Sequence, residues 1–220
     1  MKYRSVFDII GPVMVGPSSS HTAGAVRIGQ LARRLFGRQP ETAQIRFYGS
    51  FARTYRGHAT DVAVVAGLLD LATDDPRIPD SLALAAQQGM AVQFSPEEAV
   101  PAHPNTVGMT LTAGGQQFTA VGVSLGGGLV QITEVDGFSL RLSGDSPALL
   151  IFHRDAYGAV ASVTQLLASQ RVNINHMEVS RSDRGKMALM VIETDERVDP
   201  DLLRLIGEQR HIQKVITLNT

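Results

Sequence analysis

The sequence predicts two α+β units in series. The first is built on an antiparallel sheet, and the second has the element order βαββαβ. Three observations carry this. Apolar residues recur at helical spacing in some windows and alternate or form short blocks in others. The turns Ala113-Gly114-Gly115 and Asp136-Gly137 separate strand-like stretches as hairpins do. The polar cluster Leu142-Ser143-Gly144-Asp145-Ser146-Pro147 divides two apolar runs of different patterning, which places the units at residues 1–143 and 148–220.

In the first unit, His21 to Phe36 reads as a helix burying Val26, Leu31 and Leu35, and Ala43 to Phe51 as a strand. Thr60 to Leu71 is strongly apolar and reads as a buried helix. Asp80 to Gln88 reads as another, introduced by Pro79 and stopped by Gly89. Strand-like stretches follow: Met90 to Phe94, Thr106 to Thr112, Gln116 to Ser124, Leu129 to Val135 and Phe138 to Leu142. In the second unit, Ala148 to His153 is a short buried strand. Tyr157 to Gln170 carries Val160, Val163, Leu166 and Leu167 at helical spacing. Val172 to Ser180 alternates as a strand with one wet face, and the turn Asp183-Arg184-Gly185 leads into Lys186 to Glu193. Asp199-Pro200-Asp201 opens a helix whose dipole its acidic residues complement, and Ile212 to Leu218 is a last strand. This order is the ferredoxin-like plan.

Composition narrows the function. Of 220 residues, 44% are apolar and 19% charged, enough for a core and too little charge for a disordered chain. Twenty basic against 21 acidic residues leave a net charge of −1. That argues against nucleic-acid and membrane-surface partners, which require clustered positive charge. No apolar run approaches the roughly 18 residues of a membrane helix. Met1 to Asp8 has no apolar signal region, so a cytoplasmic protein is expected. Cysteine is absent, which excludes disulfides, a thiol nucleophile and thiolate ligation within this chain, but not a metal on a partner. Trp is absent and aromatics make up 5%, which disfavours stacking on bases.

Four segments carry candidate chemistry. Gly16-Pro17-Ser18-Ser19-Ser20-His21-Thr22-Ala23-Gly24 crowds the hydroxyls of Ser18, Ser19, Ser20 and Thr22 around one imidazole, just ahead of an apolar helix. A helix N-terminus attracts a carboxylate or phosphate, and hydroxyls add donors without charge. A single serine is enough for a cap, so three in a row exceed that need. In Gly57-His58-Ala59-Thr60-Asp61, Gly57 permits close backbone approach, and Thr60 or Asp61 is placed to cap the next helix. His58 then sits at the helix's positive end, which favours the neutral imidazole a base requires. In His103-Pro104-Asn105-Thr106, His103 and Asn105 share one side of an extended segment. Gly126-Gly127-Gly128 allows either backbone contact with a ligand or a sharp bend. His153, His176 and His211 show no metal-ligand spacing, and no metal site is expected on this chain.

Together with Tyr48-Gly49-Ser50 and Ser124-Leu125-Gly126-Gly127-Gly128, these motifs resemble the β domain of bacterial iron–sulfur L-serine dehydratases. The second unit resembles an ACT domain, with Asp155-Ala156-Tyr157-Gly158 after its first strand and Val172-Asn173-Ile174-Asn175 entering its second. The resemblance covers the whole chain. It implies one subunit of a two-chain enzyme converting L-serine to pyruvate and ammonia without pyridoxal phosphate. A separate α chain would hold a 4Fe–4S cluster through its cysteines, which agrees with their absence here. In family terms, the cluster's unique iron acts on the leaving hydroxyl, a base removes the α proton, and the enamine hydrolyses.

The residue types suit that scheme, because abstracting a weakly acidic α proton needs a base poised near neutral pH. His58 and His103 are expected to handle protons, with His21 orienting or shuttling. Ser18, Ser19, Ser20, Thr22, Gly57, Thr60, Asp61 and Asn105 are expected to line the substrate site. Related chains often carry two consecutive histidines where this one has His58-Ala59. The ACT resemblance implies an amino-acid effector at Tyr157, Gly158, Asn173 and Asn175, between two copies of the domain, and an α₂β₂ assembly.

A second reading stays open. The first unit also resembles the allosteric substrate-binding domain of some D-3-phosphoglycerate dehydrogenases, which binds an anion and catalyses nothing. The chain would then be a non-catalytic anion- or serine-sensing regulatory module. The pair His58 and His103 separates the two, since a sensor needs no proton carriers. A serine hydrolase is disfavoured because no Gly-x-Ser-x-Gly elbow is present.

Overall fold

The computed structural model describes residues 13–219. The N-terminal segment Met1 to Asp8, on which the expectation about a signal region rests, lies outside the described residues. The chain forms two compact units. One runs to Asp136 and includes Arg141–Ser143, and the other comprises Gly137–Leu140 and Gly144 onward.

In the first unit a π-helical turn, Ser19–Ala23, leads into α1 (Gly24–Phe36). Val26, Ile28, Leu31, Ala32 and Leu35 of α1 are buried. Gly37 ends the helix in the left-handed conformation, its N–H donating to Arg33 O at 2.9 Å. Strand β1 (Thr42–Tyr48) buries Ala43, Ile45 and Phe47 in alternation. The chain then turns into α2 (Gly49–Thr54), whereas the sequence reads as strand through Phe51. Two local features stop the strand. Gly49 adopts a φ of 58°, and a Cβ there would meet Pro104 O at 2.5 Å. The N–H of Ser50 is drawn to the same carbonyl at 2.7 Å. Helix α3 (Thr60–Leu68) is buried on nearly every side. Ile78–Asp80 makes a 3₁₀ turn before α4 (Ser81–Gln87).

Strands β2 (Ala91–Pro96), β3 (Asn105–Ala113), β4 (Gln116–Gly126), β5 (Leu129–Val135) and β6 (Phe138–Leu142) complete a sheet of order β2-β1-β3-β4-β5-β6. The described pairs β1–β3, β3–β4 and β4–β5 are antiparallel; the outer β2 runs parallel to β1. That pair is joined by the α2–α4 segment, the kind of crossover a parallel connection requires.

Helices α1 and α3 pack through glycines. A Cβ on Gly29 would strike Val64 O. One on Gly67 would strike Val26 O and come within 2.8 Å of Gln30 N and 2.9 Å of Gly29 Cα. These obstacles are backbone atoms, which cannot rotate away. Gly67→Ala is therefore expected to destabilise the protein by about 1–3 kcal/mol, the usual cost of overpacking. Urea unfolding checks this, and an unchanged midpoint would contradict the packing described.

In the second unit β7 (Ala148–Arg154), β8 (Ile174–Arg181), β9 (Met187–Thr194) and β10 (Ile212–Leu218) form an antiparallel sheet of order β10-β7-β9-β8. Helices α5 (Ala159–Ser169) and α6 (Pro200–Gly207) cover one face. Leu149, Ile151, Met190 and Ile192 from the strands meet Val163, Leu167, Leu202 and Ile206 from the helices. Asp199 caps α6, its carboxylate accepting from Asp201 N at 2.8 Å, with Pro200 in the first turn. This is the expected βαββαβ arrangement. Strand β8 is an edge strand and leaves Met177 40% and Val179 47% exposed. No helix among the described residues is long and apolar enough to cross a membrane.

Candidate active site

The hydroxyl-rich segment winds into the π turn and wraps the His21 ring. Ser18 precedes the turn, and its Oγ accepts from His21 N at 3.2 Å. His21 Nδ1 lies 3.1 Å from Ser20 Oγ and 3.4 Å from Ser18 Oγ, and Nε2 lies 3.3 Å from Ser50 Oγ. Hydroxyls donate or accept as needed, so either neutral tautomer of His21 is satisfied. The His21 ring stands edge-on to the buried Phe51, with centroids 5.1 Å apart. It also stands at 87° to His58, with centroids 4.8 Å apart.

His58 is exposed and sits two residues ahead of α3, in the short turn that follows α2. Thr22, 1% exposed, donates to His58 O at 3.5 Å and ties the hydroxyl segment to this turn. Neither Thr60 nor Asp61 caps α3 as the sequence suggests. The cap position is Ala59, in the left-handed conformation with φ 57° and no side-chain bond. Asp61 accepts instead from Val62 N at 2.9 Å, and buried Thr60 Oγ1 has no partner among the described residues. Gly57 is exposed, with nothing but Thr54 O within 4 Å of an added Cβ. Ser19 lies in the π turn, partly buried.

His103 and Asn105 reach the same neighbourhood through the backbone. Gly49 bridges to Asn105, and Ser50 N donates to Pro104 O, so the Ser50 that touches His21 is fixed against this loop. Asn105 Nδ2 donates to Ser124 O at 3.5 Å. Buried Ser124 Oγ has no partner among the described residues and lies where a Cβ on Gly24 would fall. His103 Nδ1 accepts from Asn105 N at 3.2 Å, and Thr106 Oγ1 donates to His103 O at 2.5 Å. The His103 ring lines a groove of about 410 Å³ with Tyr48, Val121, Val123 and Leu125. Thus the fold brings Ser18, Ser20, His21, Thr22 and His58 into one network, while the His103 ring makes no direct contact with His21 or His58. Gly126, Gly127 and Gly128 all have positive φ and form the β4–β5 turn. The sequence places Ser50 in the Tyr48-Gly49-Ser50 motif without giving it a role. Its signal is the glycine before it, which breaks a strand at the point where two motif segments meet.

Burial first, and the neighbouring His58 second, hold His21 below its ordinary pKa of 6.5. The neutral ring persists on acidification to below 6.5. Because the unfolded chain then binds more protons, stability falls as pH drops below that value. An NMR titration of His21 is expected to give a midpoint below 6.5 that rises only part of the way back in His58→Ala. A midpoint at or above 6.5 would contradict the burial described.

The second unit separates its four expected effector residues. Tyr157, fully exposed, and Gly158 follow β7 at one end of the sheet. Asn173 and Asn175 lie at the start of β8, which runs parallel to β7, and so at the opposite end. There their side-chain amides donate to Asp195 at 2.6 and 3.3 Å. Among the described residues, no group of three or more His, Cys, Asp and Glu is placed to hold a metal ion.

Comparison with known proteins decides the family. A serine dehydratase beta chain family model matches residues 5–92, and an ACT domain model matches residues 148–211. A probable L-serine dehydratase beta chain of Bacillus subtilis is 52% identical, over 98% of this chain and 98% of the relative. The chain belongs to the serine dehydratase beta-chain family. An L-serine dehydratase beta chain of Peptoniphilus asaccharolyticus is 32% identical over 94% of both chains. A D-3-phosphoglycerate dehydrogenase of Synechocystis is 26% identical over 88% of this chain but only 35% of its own length. The family assignment agrees with the resemblance carried by the sequence motifs.

Proposed function

We propose that this chain is the β subunit of an L-serine dehydratase, forming pyruvate and ammonia from L-serine together with a cysteine-bearing α chain. One observation carries the catalytic part of this reading: His21 and His58 meet ring to ring within a collar of serine hydroxyls, beside the loop holding His103 and Asn105. Among the described residues two buried hydroxyls lack partners: that of Thr60, in the segment of His58, and that of Ser124, whose carbonyl accepts from Asn105.

Tautomer chemistry divides the roles. Because His103 Nδ1 accepts the Asn105 N–H, its neutral ring carries hydrogen on Nε2 and is a donor. His58 has no such constraint and is the base that takes the α proton. His21, held neutral, accepts or relays it. Ser18, Ser19, Ser20, Thr22 and Asn105 hold the substrate carboxylate, and Gly57 lets the backbone approach. Loss of the α proton and of hydroxide leaves an enamine that hydrolyses to pyruvate and ammonia.

This chain offers no cysteine and, among its described residues, no ligand group for an iron–sulfur cluster. We therefore assign the 4Fe–4S cluster, with its Lewis acidity toward the leaving hydroxyl, to the α chain and no ligand to it here. Pyridoxal phosphate takes no part, and the enzyme works in the cytoplasm. Residues 1–143 form the catalytic domain and 148–220 the ACT domain. Two ACT copies pair through β8, whose Met177 and Val179 are uncovered. Such a pair lets Tyr157 and Gly158 of one copy share an amino-acid effector with Asn173 and Asn175 of the other. The test is anaerobic co-purification from native cells. A brown complex that makes pyruvate from L-serine, and loses this activity on exposure to oxygen or an iron chelator, is expected. A complex without cluster or pyruvate would favour the sensing module.

A further inference from the structure

A cavity of about 650 Å³ opens in the second unit where the β7–α5 loop meets the β8–β9 hairpin. Arg154, Arg181, Arg184 and His211 line it, along with Asp155 and the fully exposed Tyr157. Its one carboxylate is committed. Asp155 accepts from Gly185 N at 2.9 Å and pairs with Arg181 at 3.5 Å, pinning the hairpin to the loop. The nearby Lys186 is also paired, to Asp183 at 2.9 Å. Arg154 and Arg184 have no carboxylate partner among the described residues. Helix α5, of 11 residues, starts beyond this loop from Gly158 with no side-chain cap, which adds the positive end of its dipole.

We infer that this cavity binds a small dianion, either a phosphate monoester or a dicarboxylate. The volume suits a metabolite rather than a macromolecule. Guanidinium forks match carboxylate and phosphate oxygens in pairs, and two unpaired forks match two negative charges. A zwitterionic amino acid fits poorly, because its ammonium would face three guanidiniums with no free carboxylate to receive it. Tyr157 lines this cavity and also belongs to the amino-acid effector site proposed above, so the two ligands would compete at this loop. Any control over turnover rests on the regulatory reading of this unit; binding does not.

The test is calorimetric titration of the full chain at constant ionic strength with sodium succinate, inorganic phosphate and L-serine in turn. Saturable binding of succinate or phosphate is expected, weakened about tenfold or more in Arg154→Ala/Arg184→Ala, as loss of charge-assisted bonds implies. Succinate binding alone would name a dicarboxylate, and phosphate binding alone a phosphomonoester. Both arginines are exposed, so an unchanged thermal melt is expected to show that the variant folds. Failure of both anions to bind, or equal binding by the variant, would overturn the proposal. L-Serine binding that is lost in the double arginine variant would also overturn it. L-Serine binding that depends instead on Asn173 would leave the amino-acid effector reading standing whether or not the anions bind.

Discussion

Replacing His58 with alanine is expected to lower kcat for pyruvate formation about 10²- to 10⁴-fold in the assembled two-chain enzyme, with KM little changed. The side chain is exposed, so its removal leaves no buried cavity. Its ring lies 4.8 Å from that of His21, within reach of the proton-relay partner proposed above. Added imidazole is expected to restore part of the rate, since the truncation leaves room for a small base. Turnover within twofold of wild type would remove His58 from the reaction and move base duty to His21.

Replacing His103 is expected to have the second largest effect, about 10²-fold on kcat. Two variants separate chemistry from architecture. The side-chain oxygen of asparagine can take the place of Nδ1 and keep the bond from Asn105 N, but it offers nothing at the position of Nε2–H. If His103 acts as a donor, His103→Asn is as slow as His103→Ala. If its role is only to hold the loop against Ser50, His103→Asn recovers the rate and the donor assignment is wrong.

Much of this was legible in the sequence, and for identifiable reasons. Strands Leu129–Val135 and Phe138–Leu142 match the expectation residue for residue, because Asp136-Gly137 fixes the hairpin between them. The strand ending at Tyr48 was overrun because Phe47 and Phe51 are both fully buried and the apolar signal continues past the break. What ends it, Gly49 against Pro104, joins segments more than fifty residues apart, beyond the reach of local pattern. The parallel β1–β2 pair was hidden likewise, since alternation along a strand does not reveal its neighbour's direction. At the site, the crowding of Ser18, Ser19, Ser20 and Thr22 around His21 was visible as sequence. The approach of His58 and Ser50 to that ring was not, because it depends on how α1, α2 and α3 pack. Capping at Thr60 failed as a local expectation because the left-handed Ala59 starts the helix without a side-chain bond.

We hold that this chain completes a catalytic site and does not merely regulate one. The most direct measurement is anaerobic pyruvate formation from L-serine by the cluster-loaded α chain, alone and after addition of this chain. No measurable pyruvate is expected from the α chain alone, full turnover with the wild-type chain, and none with a chain carrying alanine at His21, His58 and His103 that still binds the α chain. An α chain that turns over L-serine at the same rate without this chain, or with the triple variant, would contradict it.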